Sequence, residues 1–428
     1  MPLVLAAYHG GQPLTPSAPR LKSVSIANTV THEHRVLVMR AGESRRVRRG
    51  HPWVYSNEID NTRTPLLGFA AGDVTQLVEP DGGFVAWIDI NPHAVLCGRV
   101  LSRKQEVVPD ADWLGERLDA ALGLRQRFYL DPYYRLVYGD ADGLSGLVID
   151  RYNDVFVVQV GSAGMEARLP LLVDMLVSRF APRAVVLKND GKARELEGLA
   201  TYVRVAAGVF EDPVTVLAGG MRFTAPVLAG QKTGWYYDHA DNRAWLGRLS
   251  LAGASVLDLY SYVGAWSLAA ASAGASSVLA VDSSQSALAA LAANAAANGL
   301  QRSVSTLAGD ALQLLGEMKE AGRRFDVVIL DPPAFIRRRA DEKRGQDMYR
   351  KLNVAALNVL AAGGLMVSAS CSALLSADDH VAAVRTAARQ SRRNLAVVHR
   401  GGQSPDHPVL PTLDATEYLK CLFLKDMN

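Results

Sequence analysis

Between Arg35 and about Arg103, apolar residues come in short alternating runs, RVLVMR, GDVTQLVE, GFVAWIDI and AVLCGRVL, broken by Gly, Pro and Asn. A period of two bounded by turn residues predicts strands, and several in close succession predict a small β-barrel-like unit over residues 35–105. Residues 110–207 mix both periods. ADWLGERLDAALGLRQRF repeats as a helix does, strands are expected near 146–150, 155–160 and 184–188, and a second helix near 166–180. This pattern predicts a small central α+β domain. A connecting segment, 208–239, carries a hairpin across 208–227. From residue 240 to 428 buried strands (ASVLDLY, SSVLAVD, FDVVILD, GGLMVSAS) alternate with Ala/Leu-rich helical stretches. Continuous apolar strands separated by helices predict a parallel sheet covered on both faces, a doubly wound, Rossmann-like α/β domain. Residues 1–33 are rich in Gly, Pro, Ser and Thr without sustained periodicity and are read as a flexible extension.

Composition narrows the class. With 428 residues, 49% hydrophobic and 21% charged, the chain is too long for one ordinary domain and too apolar for disorder. Its three cysteines, Cys97, Cys371 and Cys421, are too few and scattered for a disulfide framework or a Cys-rich metal site, so no metal is expected. A cysteine with chemistry to do acts alone. The start lacks a basic stretch before its short apolar run, and no apolar segment reaches transmembrane length, which points to a cytoplasmic protein without a membrane partner. The net charge of +3 is unevenly spread: residues 35–51 hold six Arg against one Glu, and residues 337–351 hold seven Lys/Arg against three acids. Two such patches suit a polyanion, although a merely solvated basic face gives the same pattern.

Ligands of open parallel sheets sit at the strand ends, and here those ends are acidic. VLDLYSYVGAW puts Asp258 at the end of the first strand, followed by a tight turn through Tyr260, Ser261 and Gly264 into a helix. SSVLAVD ends in Asp282, where a carboxylate can accept both hydroxyls of a ribose, with Ser283 next to it. Asp310 closes the third strand and could receive an adenine amino group. Asp331 closes the fourth, ahead of Pro332 and Pro333, which fix a stiff extended turn. Any one of these acids is more often a cap or loop residue; four in strand-by-strand order are harder to dismiss. There is no Walker loop, and the first turn lacks the glycines a pyrophosphate needs, whereas S-adenosylmethionine (SAM) carries no phosphate.

In these motifs the chain resembles the RlmI-like three-domain RNA methyltransferases, which join a PUA domain, a central α+β domain and a class I SAM-dependent domain. The resemblance spans about residues 35–428 and rests on ESRRVRRGHPWVYSNEI, GDADGLSGLVIDRY, GQKTGWYYDHADNR, VLDLYSYVGAW, VDSSQSAL, LDPPAFIRRR, SASCS and DHPVLPTLDATEYLKCLFL. It departs at Ala265, where the family often has a second glycine. The resemblance implies SAM as cofactor. Asp258, Tyr260, Ser261 and Gly264 would shape its methionine side, Asp282 with Ser283 would hold the ribose, and Asp310 would face the adenine. Gln231, Lys232, Thr233, Gly234, Asp238, Asp331 and Pro332 would add contacts.

It also implies methylation of C5 of a cytosine in 23S ribosomal RNA. C5 is a poor nucleophile until a thiolate adds to C6, and Cys371, at the ligand-facing end of GGLMVSAS, is the expected nucleophile. Asp331 near N3 would stabilise the adduct. Cys97 and Cys421, within strand-like runs, are expected to be inert core residues. His380 and His407 are weak candidates for the base that releases the adduct, and each is more readily structural or RNA-facing. Arg45, Arg46, Arg48 and Arg49 on the first domain, and Phe335, Arg337, Arg338 and Arg339 beside the catalytic motif, are the expected RNA contacts. Trp53 and Tyr55 are as readily core aromatics as stacking platforms for the RNA. A homodimer is the candidate assembly. Two alternatives stand: methylation of guanine N7 or N2 on the same fold, which needs no covalent cysteine, and a ribosome-assembly factor that keeps the cofactor pocket without catalysis.

Overall fold

The alternating runs of the first hundred residues pair into one sheet. Its strands are β1 (Val36–Val38), β2 (Trp53–Tyr55), β3 (Val74–Val78), β4 (Phe84–Ile90) and β5 (Leu96–Ser102), in the spatial order β1-β3-β4-β5-β2. The segment after β2 returns to β1 through a bridge between Met39 and Ile59, with the Arg40 and Asp60 amides donating to the carbonyls of Glu58 and Val38. The sheet therefore curls into a barrel-like unit around Leu37, Met39, Val54, Ile59, Leu77 and Ile88. The computed structural model describes residues 35–228, 230 and 233–428. The expectations for residues 1–33 and for Gln231 and Lys232 lie outside these.

The next sheet contains β6 (Tyr133–Tyr138), β7 (Leu147–Tyr152), β8 (Val155–Val160), β9 (Ala184–Asn189) and β10 (Tyr202–Gly208), in the order β10-β9-β8-β7-β6. Helices Ala111–Arg125 and Ala163–Phe180 bury Trp113, Leu118, Leu172 and Leu176 against it. Asp110 and Ser162 cap them, accepting from the amides of Trp113 and Met165. Sequence periodicity passes over β6 and β10, because both are edge strands with half-exposed faces and neither alternates cleanly. The expected hairpin is β11 (Val214–Ala218) and β12 (Met221–Ala225), joined by Gly219 and Gly220 at φ +57° and +74°, as a two-residue turn of this hand requires.

The third sheet holds β13 (Ser255–Leu259), β14 (Ser277–Asp282), β15 (Val304–Ala308), β16 (Phe325–Leu330), β17 (Leu360–Ser370), β18 (Leu395–Gly401) and β19 (Lys420–Asp426), in the order β15-β14-β13-β16-β17-β19-β18. β19 slots antiparallel between β17 and β18, so the sheet is not wholly parallel. The chain runs outward from β13 to β15 and then returns to lay β16 on the other flank of β13. That reversal opens a crevice at the carboxyl ends of β13 and β16. No helix among the described residues is long and apolar enough to cross a membrane.

Candidate active site

The crevice holds a cavity of about 510 Å³. Its floor is the turn after β13, where Tyr260 and Tyr262 adopt φ +64° and +48° and Gly264 adopts +93°. Left-handed backbone at a bulky residue costs on the order of 1–3 kcal/mol and survives only where its surroundings hold it. Here the Ser261 amide donates to Val281 O, the Tyr262 amide to Asp282 Oδ2 at 2.9 Å, and the Tyr262 hydroxyl to Gly234 O at 3.1 Å. The turn thus presents Tyr260, Ser261 and Tyr262 to the cavity. Gly264 starts the helix Ala265–Ser272 instead of lining it; a Cβ there would meet Leu291 Cγ at 2.5 Å.

The anticipated acids separate into two groups. Asp282 and Asp331 line the cavity, as do Ser283, Pro332 and Asp238. Asp282 accepts the Tyr262 and Ser284 amides, both at 2.9 Å, which orients its carboxylate. Asp331 receives Trp266 Nε1 on one oxygen at 3.1 Å, and His239 Nε2 lies 3.3 Å from the other. Asp238 accepts the Tyr418 hydroxyl at 2.6 Å. Asp258, by contrast, is fully buried beneath the turn and bonded to Ser267 Oγ at 2.5 Å, with burial pushing its pKa up to about 7. Asp310 caps the helix Ala311–Glu320 through the Gln313 amide. Thr233 is buried with its hydroxyl on Asp150. These three, like Gly264, are not among the residues lining the cavity; they brace what surrounds it.

Cys371 follows β17 and lines the same cavity, half-buried, with Sγ 3.9 Å from the Pro332 carbonyl oxygen. Its neighbour Lys420 is buried, its ammonium donating to Ser372 O at 2.8 Å and Tyr418 O at 3.0 Å, and the two side chains are close enough to interact electrostatically. Cys97 and Cys421 are buried inside β5 and β19, and burial pushes the Cys97 thiol up to about 12. His380 is buried on Ser368 Oγ, its pKa drawn down to about 4 by burial and then by Lys420, while His407 is buried on Asp406. Neither lines the cavity.

Of the basic residues, Arg337 borders the cavity and Arg338 and Arg339 are exposed beside it. Phe335 instead packs on Tyr349, ring centres 5.0 Å apart. In the first unit, Arg46 is committed to Glu58 at 2.7 Å and Arg48 to Glu79 at 3.1 Å, whereas Arg45 and Arg49 are exposed at the rim of a separate hollow. Trp53 donates to Asp140 and the Arg46 guanidinium lies over Tyr55, so both aromatics have packing roles.

Residues 205–425 match the model of the S-adenosylmethionine-dependent methyltransferase family, and residues 37–103 match a PUA-like domain. The chain belongs to the SAM-dependent methyltransferases. It is 34% identical to the ribosomal RNA large subunit methyltransferase I of Shewanella denitrificans and 33% to that of Shewanella frigidimarina, in each case over 90% of this chain and 97% of the relative. Two solved structures share its fold at 20% identity, each over 91% of this chain and 99% of theirs: SMU.776 in complex with SAH (S-adenosylhomocysteine), TM-score 0.78, and a protein from Streptococcus mutans described as SAM-dependent, TM-score 0.77.

The methyltransferase cavity fits that cofactor. Its volume falls within the roughly 300–1,000 Å³ typical of small-ligand sites. The Ser261 hydroxyl is buried on its wall without a protein partner, and Asp282 keeps lone pairs for a ribose after its two amide bonds. The sequence pattern did not single out Tyr262, Trp266 and Tyr418, nor His239 and Arg243, the last two both in the GQKTGWYYDHADNR segment. That motif signalled them only as part of a run, since nothing in spacing tells which of its polar side chains turn inward.

Proposed function

We propose that this methyltransferase modifies C5 of a cytosine in 23S ribosomal RNA through a covalent Cys371 adduct. One observation carries the reading: Cys371 and Asp331, from neighbouring strands β17 and β16, open onto the same cavity. Its RNA substrate class follows from the large-subunit ribosomal RNA methyltransferases it resembles. Bound SAM would supply an electrophilic methyl group, with Asp282 and Ser283 at its ribose and Ser261 at its methionine side.

The chain's part is to make C5 nucleophilic. The Cys371 thiolate adds to C6, the C5–C6 electron pair moves to C5, and a cation such as Lys420 favours the thiolate. Asp331, held by the Trp266 ring N–H with His239 Nε2 beside its other oxygen, accepts a hydrogen bond from the N4 amino group next to N3 and steadies the ring while C5 carries the electron pair. Once C5 is methylated, its proton passes to solvent water, the C5–H pair re-forms the C5–C6 double bond, and the C6–S pair leaves with the Cys371 thiolate. Arg337, Arg338, Arg339, Arg45 and Arg49 hold the phosphates, and the base leaves its stack to reach the cavity.

The test uses RNA carrying 5-fluorocytidine, whose C5 fluorine cannot leave as a proton. The wild type should form a denaturant-stable protein–RNA adduct, and Cys371→Ala should form none while losing methyl transfer by about a thousandfold or more. Full activity in Cys371→Ala, or methyl recovered on guanine N7 or N2, refutes the reading.

A further inference from the structure

The cavity wall includes three carboxylates, Asp238, Asp282 and Asp331, and one buried guanidinium. Arg243, on the helix Ala240–Gly247, is 8% exposed. Its Nη2 donates to Tyr236 O at 3.1 Å, and its guanidinium carbon lies 5.4 Å from the centre of the Trp235 ring. Among the described residues it makes no other hydrogen bond and no ion pair. Other buried arginines of this chain are paired: Arg125 with Asp142, Arg99 with Glu197, Arg194 with Glu166. A guanidinium keeps its charge under protein conditions. Asp238 and Asp331 act on that charge from a distance, yet no carboxylate touches it, and its remaining N–H donors are not walled off in protein. Arg243 therefore has N–H donors free for a ligand group in direct contact.

We propose that Arg243 takes the α-carboxylate of the methionine part of SAM. Its fork of N–H donors matches a planar carboxylate, and stacking on Trp235 fixes the plane of that fork. Its helix packs against the helix Ala265–Ser272, which follows the Tyr260–Gly264 turn, so the guanidinium stands on the side of the cavity where that turn ends. The other arginine on the wall, Arg337, is exposed to solvent, where an ion pair is worth little. Arg243 also borders a second groove of about 570 Å³, with Trp235 and Ala265 as the shared partition. An anion arriving from that side would be unrelated to the cofactor.

The inference rests on the cofactor assignment of the cavity and not on which base is methylated. Calorimetric binding of two ligands to the full chain tests it: SAH, which has the amino-acid end, and 5′-methylthioadenosine, the same thioether nucleoside without it. In Arg243→Gln the affinity for SAH should fall about 10- to 150-fold, the span expected for hydrogen bonds to a charged group, while methylthioadenosine binds as in the wild type. Arg243→Lys should fall between. An equal loss for both ligands, or no loss for SAH, overturns the proposal, since the first makes Arg243 a general support of the pocket and the second leaves it without a role there. Should the wild type bind neither ligand, the cofactor assignment itself fails.

Discussion

Asp258 offers a sharp test of what lies beneath the cofactor turn. Its carboxyl is fully buried, with one oxygen on Ser267 Oγ and the other unpartnered. Burial is the largest cause of its raised pKa of about 7, the Ser267 hydroxyl opposes it, and Asp331 and Asp282 add to it. A raised acid binds its proton more tightly when folded. Stability from this group is thus full below the unfolded value of 3.8 and is lost as pH climbs to the folded value. The loss is ~1.4 kcal/mol per pH unit across that window, or about 3 kcal/mol between pH 5 and pH 7, and then levels off. Asp258→Asn keeps an oxygen for Ser267 and removes the titration. At about 2–4 °C per kcal/mol for a unit of this size, the melting temperature of the variant minus that of the wild type should rise by roughly 6–12 °C from pH 5 to pH 8. Asp89, also buried and raised to about 6, is present in both proteins and cancels in the difference. Calorimetric melts of both at constant ionic strength measure it. A difference that stays flat over this range refutes a carboxyl that is neutral below pH 7.

Two further outcomes follow from the cavity. His239→Leu removes the ring N–H beside Asp331 and should lower kcat about tenfold with SAH affinity unchanged, whereas His239→Gln, which keeps a donor, should restore most of it; equal losses in both variants would make His239 a packing residue only. Replacing Arg337, Arg338 and Arg339 together by Gln should weaken RNA binding and reduce the slope of log K against log salt by roughly 2–3, as filter binding at several salt concentrations would show, and an unchanged slope removes these side chains from the RNA surface.

Asp258, Asp282 and Asp331 were readable because each follows a run of apolar residues, and the crevice of an open α/β sheet lies where such strands stop; Asp310 follows the mixed run VSTLAG and was legible only by its place in the order. The same pattern could not distinguish Asp282 and Asp331, which face the cavity, from Asp258, buried below it, or Asp310, which caps a helix through one oxygen. All four are acids at strand ends, and only the direction of each side chain separates them. Likewise the basic cluster at residues 45–49 was plain in the sequence, while the pairing of Arg46 and Arg48 with Glu58 and Glu79, 12 and 31 residues further on, was not.

Local pattern by itself thus determined the elements whose period is strong, the succession along the chain of four α/β strands, and the single cysteine placed at a strand end. Tertiary structure decided the rest. β19 enters the sheet antiparallel, which no local period encodes, because pairing partners are chosen by a chain returning from far away. Arg243 and His239 became site residues because the helix Ala240–Gly247, which carries the first and follows directly on the second, packs against the helix after β13, and whether a polar side chain is paired or capped depends on contacts that only folding brings together.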